Sequence, residues 1–337
     1  MANLPALFAS LENQTFKDFV VRVVDNGSND GLEKWLREKY PQVMLIRHSR
    51  NLGFTAAHNQ MIKYAIDKWP GENLAHCYVL VISPDVVLTK NCLEKLVATA
   101  EVNKEAGAFT PKVLKMFQDD FGDEVLKEDI HSDIIDNTGL RTDRGRRFHQ
   151  RGAGELDKGQ YDGKAAQEIF GVNNVVALYR ASSLESVKLK DGEYFDEDFY
   201  AYKEDADLAW RLRWAGWSAR LVAEAVAHHA RGSSKLPRKN IFTKINQRRH
   251  SRIKNFYHTR NHWWVLIKNL SWWDLGLFWP WIFWAALGRI IYTSIFEPRN
   301  LSAFFATLGS LPKMFRKRRE VFARRKAIRK TLSRWFS

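Results

Sequence analysis

This sequence predicts an α/β fold: a mainly parallel sheet with helices on both faces, followed by a helical, basic tail. Three observations predict it. Short apolar runs alternate with helical stretches over residues 19–103, and such alternation implies parallel strands joined by helical crossovers. The charge is split, with −6 over residues 1–230 and +21 over residues 231–337. Seven of the 13 tryptophans lie within residues 263–284.

The elements follow in order. "FVVRVVDNGSNDG" (19–31) is a short buried strand that stops at a polar, glycine-containing loop, and "GLEKWLREKY" is a helix. "VMLIRH" (43–48) is a second strand. "NLGFTAAHNQMIKYAIDKW" (51–69) is a turn and a helix, with Ala57, Met61, Tyr64 and Ala65 near one face. "YVLVIS" (78–83) is a third strand and "NCLEKLVATAEVN" (91–103) a further helix. Residues 117–168 are polar and aperiodic, which predicts a long surface excursion with a hairpin. "EIFGVNNVVALYR" (168–180) returns to strand character. "EDADLAWRLRWAGW" (204–217) is a helix with Leu208, Leu212 and Ala215 in register and Gly216 as its C-cap. The character changes beyond Arg231, so a boundary is expected near 232–250.

With 337 residues, 45% hydrophobic and 27% charged, the chain can bury one large domain with an appendage, or two domains. Two cysteines, Cys77 and Cys92, make no disulfide framework and suit a reducing cytosol. "MANLPALFAS" lacks the basic and apolar regions of a secretory signal.

Four polar clusters fall at element ends: Asp25-Asn26-Gly27-Ser28, Arg50-Asn51-Leu52-Gly53-Phe54, Ser83-Pro84-Asp85 and Glu204-Asp205-Ala206-Asp207. His228 and His229 close this half. Each cluster alone is ordinary turn or cap chemistry. Asp85 after a buried strand reads either as a turn residue or as a ligand-bearing carboxylate, because open α/β sheets bind ligands at the carboxyl ends of their strands.

"SLENQTFKDFVVRVVDNGSNDG", "NLGFTAAHNQ", "ISPDVVL" and "YFDEDFYAYKEDADLAWRLRWAGW" resemble, in order and spacing, the inverting glycosyltransferases of family 2, most closely the rhamnosyltransferase-like members. The likeness covers roughly residues 3–232. It implies a GT-A fold, a nucleotide-sugar donor and Mg²⁺ or Mn²⁺. It implies that Asp25 pairs with the base of the nucleotide and that Asn26, Arg50, Asn51 and Gly53 flank the donor. Asp85 and His228 would hold the metal, and Asp205 would be the catalytic base with Glu204 beside it. The chemistry asks for these types: a divalent ion neutralises the departing diphosphate, and one carboxylate takes the acceptor's proton, a step worth roughly 10²–10⁴-fold. A single displacement with one base inverts the anomeric centre.

Two departures stand out. Ser83 occupies a position where the metal motif usually carries Asn or Asp. The family's first, central strand has no counterpart before "LPALFASLENQ"; its loss is expected to leave two neighbours unpaired, unless a truncated start or another segment accounts for it. His131, His149 and His58 are read as incidental, and Asp196, Glu197 and Asp198 as a solvated acidic loop.

In the tail, "LGLFWPWIFWAAL" (275–287) is 13 residues bracketed by Asp274 and Arg289 and interrupted by Pro280. A span needs about 20, so attachment in the membrane plane is favoured. Residues 311–337 carry 11 Lys+Arg against one Glu, suited to an anionic membrane. Nucleic acid is disfavoured, because the aromatics cluster apart from the terminal basic run. The expected organisation is a GT-A domain over 1–232, a linker over 233–254 and a membrane-associating tail over 255–337. The expected protein sits peripherally on the cytoplasmic face of the membrane and moves a sugar such as rhamnose to a lipid-linked or polysaccharide acceptor. A UDP-hexosyltransferase and a catalytically impaired scaffold are the alternatives.

Overall fold

The computed structural model describes residues 3–69, 73–118, 129–163, 166–230, 252–327 and 332–336. Its first half alternates as the sequence predicts: α1 (Leu4–Glu12), β1 (Arg22–Asp25), α2 (Leu32–Lys39), β2 (Met44–Arg47), α3 (Phe54–Asp67), β3 (Tyr78–Ile82), β4 (Val86–Leu88) and α4 (Cys92–Val102). The expected excursion is richer in strands than its polarity suggests. β5 (Ala106–Gln118) pairs antiparallel with β6 (Asp129–Asn137), and β7 (Leu140–Thr142) pairs with β8 (Phe148–Gln150) as a hairpin. The polar residues Asp136, Asn137, Thr138 and Arg146 are buried there, so their polarity belongs to the interior rather than to a solvated loop. β9 (Gln167–Ile169), β10 (Val176–Arg180), α5 (Ala181–Val187), α6 (Glu204–Trp214) and β11 (Ser218–His229) complete this part.

β1 and β2 form a parallel two-stranded sheet, with Arg22 opposite Met44. The larger sheet runs β3–β10–β5–β11–β4, with β6 on β5 and β9 on β11. Within it β5 and β11 are parallel, whereas β10 opposes both its neighbours and β4 opposes β11. The sheet is therefore mixed. Parallel neighbours need a long crossover, which α2 supplies between β1 and β2, but only three residues separate β3 from β4. Ser83 N donates to Val175 O at 2.9 Å, and Ala230 N donates to Asp85 O at 2.8 Å. The turn at Ser83–Asp85 thus carries the chain from the β10 side of the sheet to the β11 side.

Apolar clusters lie on both faces. Leu7, Leu93, Leu96, Phe109 and Leu178 bind α1 and α4 to one face. Ile62, Val81, Tyr179, Leu184, Leu208 and Leu212 bind α3, α5 and α6 to the other. Helix α6 has a second buried side: Trp210 and Trp214 pack with Trp264, Val265, Met314 and Val321 of the tail. A helix buried all round is a core element.

The tail comprises α7 (Arg252–Asn269), α8 (Trp272–Phe296), α9 (Ser302–Gly309) and α10 (Leu311–Ala323). Most of the expected linker lies outside the described residues. The 13-residue apolar stretch is part of a longer helix: α8 has 25 residues and runs through Pro280. By length and composition it is apolar enough to cross a membrane. Its buried positions, Asp274, Ile282 and Thr293, lie on one face, while Trp272, Trp273, Trp279, Phe283 and Trp284 are exposed.

Of the acidic segment 196–198, Glu197 is exposed as expected, but Asp196 is not solvated. Asp196 is fully buried. It pairs with Lys268 of α7 and, at 2.6 Å, with Lys317 of α10. Lys268 also meets Asp207 at 2.9 Å. Burial alone would raise the Asp196 carboxyl, but Lys268 and Lys317 outweigh it and hold the group well below the usual range. Basic residues that the sequence offers as a surface charge are here interior counter-ions. Lys268→Met is expected to cost about 3 kcal/mol, because it takes one cation from two buried carboxylates and leaves Asp196 to Lys317 and Asp207 to Arg211; urea unfolding measures this. The Asp196 contribution is present above an unfolded value near 4 and is lost as pH falls toward its lower folded value, so acid should narrow the gap between variant and parent.

Candidate active site

Three loops converge at the start of α6. Asp25 ends β1 buried, its Oδ1 accepting from the Ser28 N–H at 2.8 Å and from Ser28 Oγ at 2.6 Å. Arg47 Nε lies 3.4 Å from the other oxygen. An open groove of about 630 Å³ borders Asp25, Ser28, Asn29 and Arg47. Asn26 Nδ2 donates to Gly53 O at 2.9 Å, and its Oδ1 meets His48 Nδ1 at 2.9 Å. Asn51 Oδ1 accepts from Gly53 N at 2.8 Å. Asn26 and Asn51 therefore shape the 50–53 loop, while Arg50 is exposed. Gly53 has φ +89°, and a Cβ there would lie 2.5 Å from the Tyr200 ring and 2.7 Å from Tyr200 O. No side chain fits that approach.

The segment before α6 is strained. Tyr200, Tyr202 and Lys203 all have φ between 63° and 70°, a region that side chains other than glycine rarely occupy. The tail holds it there. Asn261 Nδ2 donates to the carbonyls of Phe199, Ala201 and Tyr202 at 2.8–2.9 Å, and Tyr200 stacks on Tyr257 with centroids 5.0 Å apart. Strained residues clustered at one place in a fold mark a candidate site.

Glu204 and Asp205 follow at the N-terminus of α6. Asp205 Oδ2 accepts from Asn173 Nδ2 at 3.0 Å, and Oδ1 accepts from the Ala206 N–H at 2.7 Å. Burial raises both carboxyls. The charge of Asp205 raises Glu204 further, to about 8, whereas Lys203 and these donors oppose the rise at Asp205. Glu204 therefore keeps its proton at neutral pH, and Asp205 is the one stabilised as a carboxylate. This fits Asp205 for the base role and Glu204 for a neutral neighbour. Asn173 also joins the two halves of the site: the same turn presents Val175 O to Ser83 N, two residues before Asp85.

Asp85 meets a histidine, and that histidine is His229. Its Nε2 lies 3.2 Å from Asp85 Oδ2, and its Nδ1 lies 3.0 Å from Asp136 Oδ2. His228, the residue singled out by its position in the sequence, points the other way because neighbours on a strand alternate. Its ring lies 4.2 Å from that of His131, and burial and then His131 hold it down to about 4. Burial would also lower His229, but the two carboxylates raise it to about 9. A divalent cation that displaced the Nε2 proton of His229 would find one carboxylate oxygen and one imidazole nitrogen facing each other, with Asp136 orienting the imidazole from behind. Among the described residues no group of three or more His, Cys, Asp or Glu side chains is placed to hold a metal. One carboxylate completed by water and phosphate oxygens is a usual set for Mg²⁺.

A mixed sheet with a nucleotide-type loop at β1, a carboxylate turn after β3 and a carboxylate pair opening a buried helix defines a GT-A glycosyltransferase. Residues 2–151 match the family described as "Glycosyl transferase family 2". It is similar to N-acetylglucosaminyl-diphospho-decaprenol L-rhamnosyltransferase of Mycobacterium tuberculosis, with 26% identity over 284 residues, covering 82% of this chain and 84% of the relative. The match is the same for that protein in a second strain. Among solved structures it resembles GalNAc-T7 with UDP, GalNAc and Mn²⁺, at TM-score 0.61 and 13% identity. That likeness covers 98% of this chain and 54% of the other, and shows the fold.

Asn173, Asn174, Lys203, Asp136 and Asn261 are not singled out as site residues by the sequence, and His229 is offered only as half of a pair whose metal role falls to His228. "GVNN" before a strand was a usable signal, and the choice within the His-His pair was not. Asp205→Asn is expected to lower turnover by about 10²–10⁴-fold with the fold intact, as initial rates would report. His229→Gln should raise the Mn²⁺ activation constant about 10–100-fold, and His228→Gln should leave it unchanged. Glu204 ionises later in the folded than in the unfolded chain, so its burial disfavours folding increasingly as pH rises from about 4.5 to 8. Glu204→Gln should therefore melt higher than the parent at pH 8, with the advantage gone at pH 4.5.

Proposed function

We propose that this chain transfers a deoxyhexose such as rhamnose, with inversion, from a nucleoside diphosphate to a lipid-linked acceptor at a membrane surface. The observation that carries the reaction is the turn at 173–175, which ties Asp205 on one side and the strand end before Asp85 on the other. Base and leaving-group carboxylate thus share one rim. Asp205 would take the acceptor's proton, Asn173 would hold its second oxygen, and Asn26 and Asn51 would set the loop that flanks the donor. Asp85 and His229 would hold Mg²⁺ or Mn²⁺, which when bound draws charge from the departing diphosphate. The sugar and the lipid acceptor are supported by the mycobacterial relative, which matches 82% of this chain.

Attachment in the membrane plane is supported by the way α8 docks. Arg146 lies 4.3 Å from the Phe278 ring centroid, and Arg144 lies 5.6 Å from that of Trp281. Gly145 admits Ala285, since a Cβ there would lie 2.9 Å from the Ala285 Cβ. Asn255 meets Glu297 just beyond the far end at 3.1 Å. A helix held near its middle, at Phe278, Trp281 and Ala285, against a charged hairpin would drag that hairpin into the bilayer if it spanned. Lying flat, it presents Trp279, Phe283 and Trp284 to lipid.

The test is to supply the full chain with nucleoside-diphosphate rhamnose, UDP-hexoses and a polyprenyl-diphosphate-linked sugar, with Mn²⁺ or with EDTA. Transfer of rhamnose to the lipid that EDTA abolishes is expected. Preference for a UDP-hexose would overturn the sugar assignment, and nucleotide binding without turnover would favour the scaffold. For the surface, the triple variant Trp279→Ser, Phe283→Ser, Trp284→Ser should lose at least about 100-fold in partitioning to anionic vesicles. High salt should weaken the parent only in part; co-sedimentation reads both.

A further inference from the structure

Beside Asp205 lies a group of basic side chains that form no ion pair among the described residues. Lys203 directly precedes the carboxylate pair, and its Nζ lies 3.4 Å from Phe148 O of the hairpin. The Tyr202 ring lies 5.0 Å from that of His258 on α7, and Lys254 Nζ lies 5.9 Å from the Tyr202 ring centroid. His262, one turn further along α7, is 4% exposed, and its Nδ1 has no hydrogen-bond partner among the described residues. Arg289 approaches from α8: its charge acts on Lys203, His258 and His262. Arg147 of the hairpin acts on His262 and Arg289. Arg147 itself pairs with Asp143 at 2.8 Å. Asp205 and Glu204 face Lys203, and Glu297 faces Arg289. Among the described residues none of these acids forms an ion pair with Lys203, Lys254 or Arg289.

Burial and then the neighbouring cations hold His258 down to about 3 and His262 well below its ordinary value. Lys203 and Arg289 are half-buried cations without an ion-pair partner among the described residues, and the two neutral imidazoles near them can each donate a hydrogen bond; such a group is suited to an anion. A diphosphate has the matching charge and supplies many acceptor oxygens. From Arg147 a groove of about 510 Å³ leads outward between Arg144, Trp281 and Trp284, two of these being aromatic residues on the membrane-facing helix. In a single displacement the nucleophile and the leaving group lie on opposite sides of the anomeric carbon. Cations beside the base are thus on the acceptor's side and away from the donor's diphosphate.

We propose that Lys203, His258, His262 and Arg289 bind the diphosphate of the acceptor lipid, with its first isoprene units lying along Trp281 and Trp284. This rests on the reading of a lipid-linked acceptor. The diphosphate would anchor the acceptor so that its sugar hydroxyl reaches Asp205.

The probe is geranyl diphosphate, titrated in EDTA against the full-length protein by tryptophan fluorescence and calorimetry. Geranyl diphosphate should bind at least about 10-fold more tightly than geranyl monophosphate, and R289Q and K203Q should each weaken it about 10-fold or more. R289Q should also raise the melting temperature of the ligand-free protein, because it removes one of several like charges; a cation that served only the fold would lower it. Donor affinity in Mn²⁺ should be unchanged in R289Q, and R289K should recover part of the diphosphate affinity. Absence of geranyl diphosphate binding by the parent, equal binding by R289Q, or a matching fall in donor affinity would overturn the proposal. So would a loss of binding to phosphatidylglycerol vesicles in R289Q with geranyl diphosphate affinity unchanged, since the cluster would then serve bulk lipid. Transfer only to a soluble acceptor would refute the functional reading while leaving this binding result to stand by itself.

Discussion

The buried pairing of Asp196 and Asp207 with Lys268 and Lys317 is the interaction on which the rest depends. Asp207 lies on α6, the helix whose first turn carries Glu204 and Asp205, and Asp196 opens the strained segment that leads into it. Lys268 and Lys317 come from the tail. Charges buried at this depth tolerate no loose geometry, because separating them leaves each uncompensated in a low dielectric. The tail is thereby joined to the catalytic helix, and Trp214 Nε1 donating to Asn269 O at 2.9 Å secures the same junction.

From that junction the site follows. With α7 held against α6, Asn261 can collect three carbonyls of the 199–202 segment, and three non-glycine residues stay in left-handed conformations. That backbone aims Lys203 at the hairpin and presents Asp205 to Asn173. Gly53 meets Tyr200 so closely that the donor-flanking loop is positioned by the same segment. Donor loop, base and tail are therefore one mechanical unit. Under the proposed reading, the exposed aromatic face of α8 is tied through α7 to the helix that carries Asp205, an arrangement that would suit an acceptor presented at an interface.

The two carboxyls that open α6 show how an environment divides roles between neighbours. Both are desolvated, but Asp205 has Asn173, the Ala206 N–H and Lys203 to stabilise its charge, whereas Glu204 has a single 3.4 Å contact from Asn174 and a repelling neighbour. Deprotonating one makes the other harder to deprotonate. The environment therefore separates the two carboxyls, with Glu204 held protonated more strongly than Asp205.

Much was legible in the sequence. Apolar runs of five or six residues separated by amphipathic stretches determined β1 to α4, because burial on one face leaves a periodic mark whatever the partner is. The positions of Asp25, Asp85 and Asp205 at element ends were equally local, and the family likeness rested on them. Partnership was not legible. Whether His228 or His229 meets Asp85 depends on which face of β11 looks toward the Ser83–Asp85 turn, and a strand's alternation does not say which face is which until its neighbours are set. Asp196 and Lys268 are 72 residues apart, and each alone reads as a solvated charge. The 13-residue apolar stretch reads as too short to span because the sequence shows only where the charges are, whereas the fold shows that Asp274 turns inward and that the helix continues past Arg289. Periodicity records which residues are buried; only the tertiary structure decides against what.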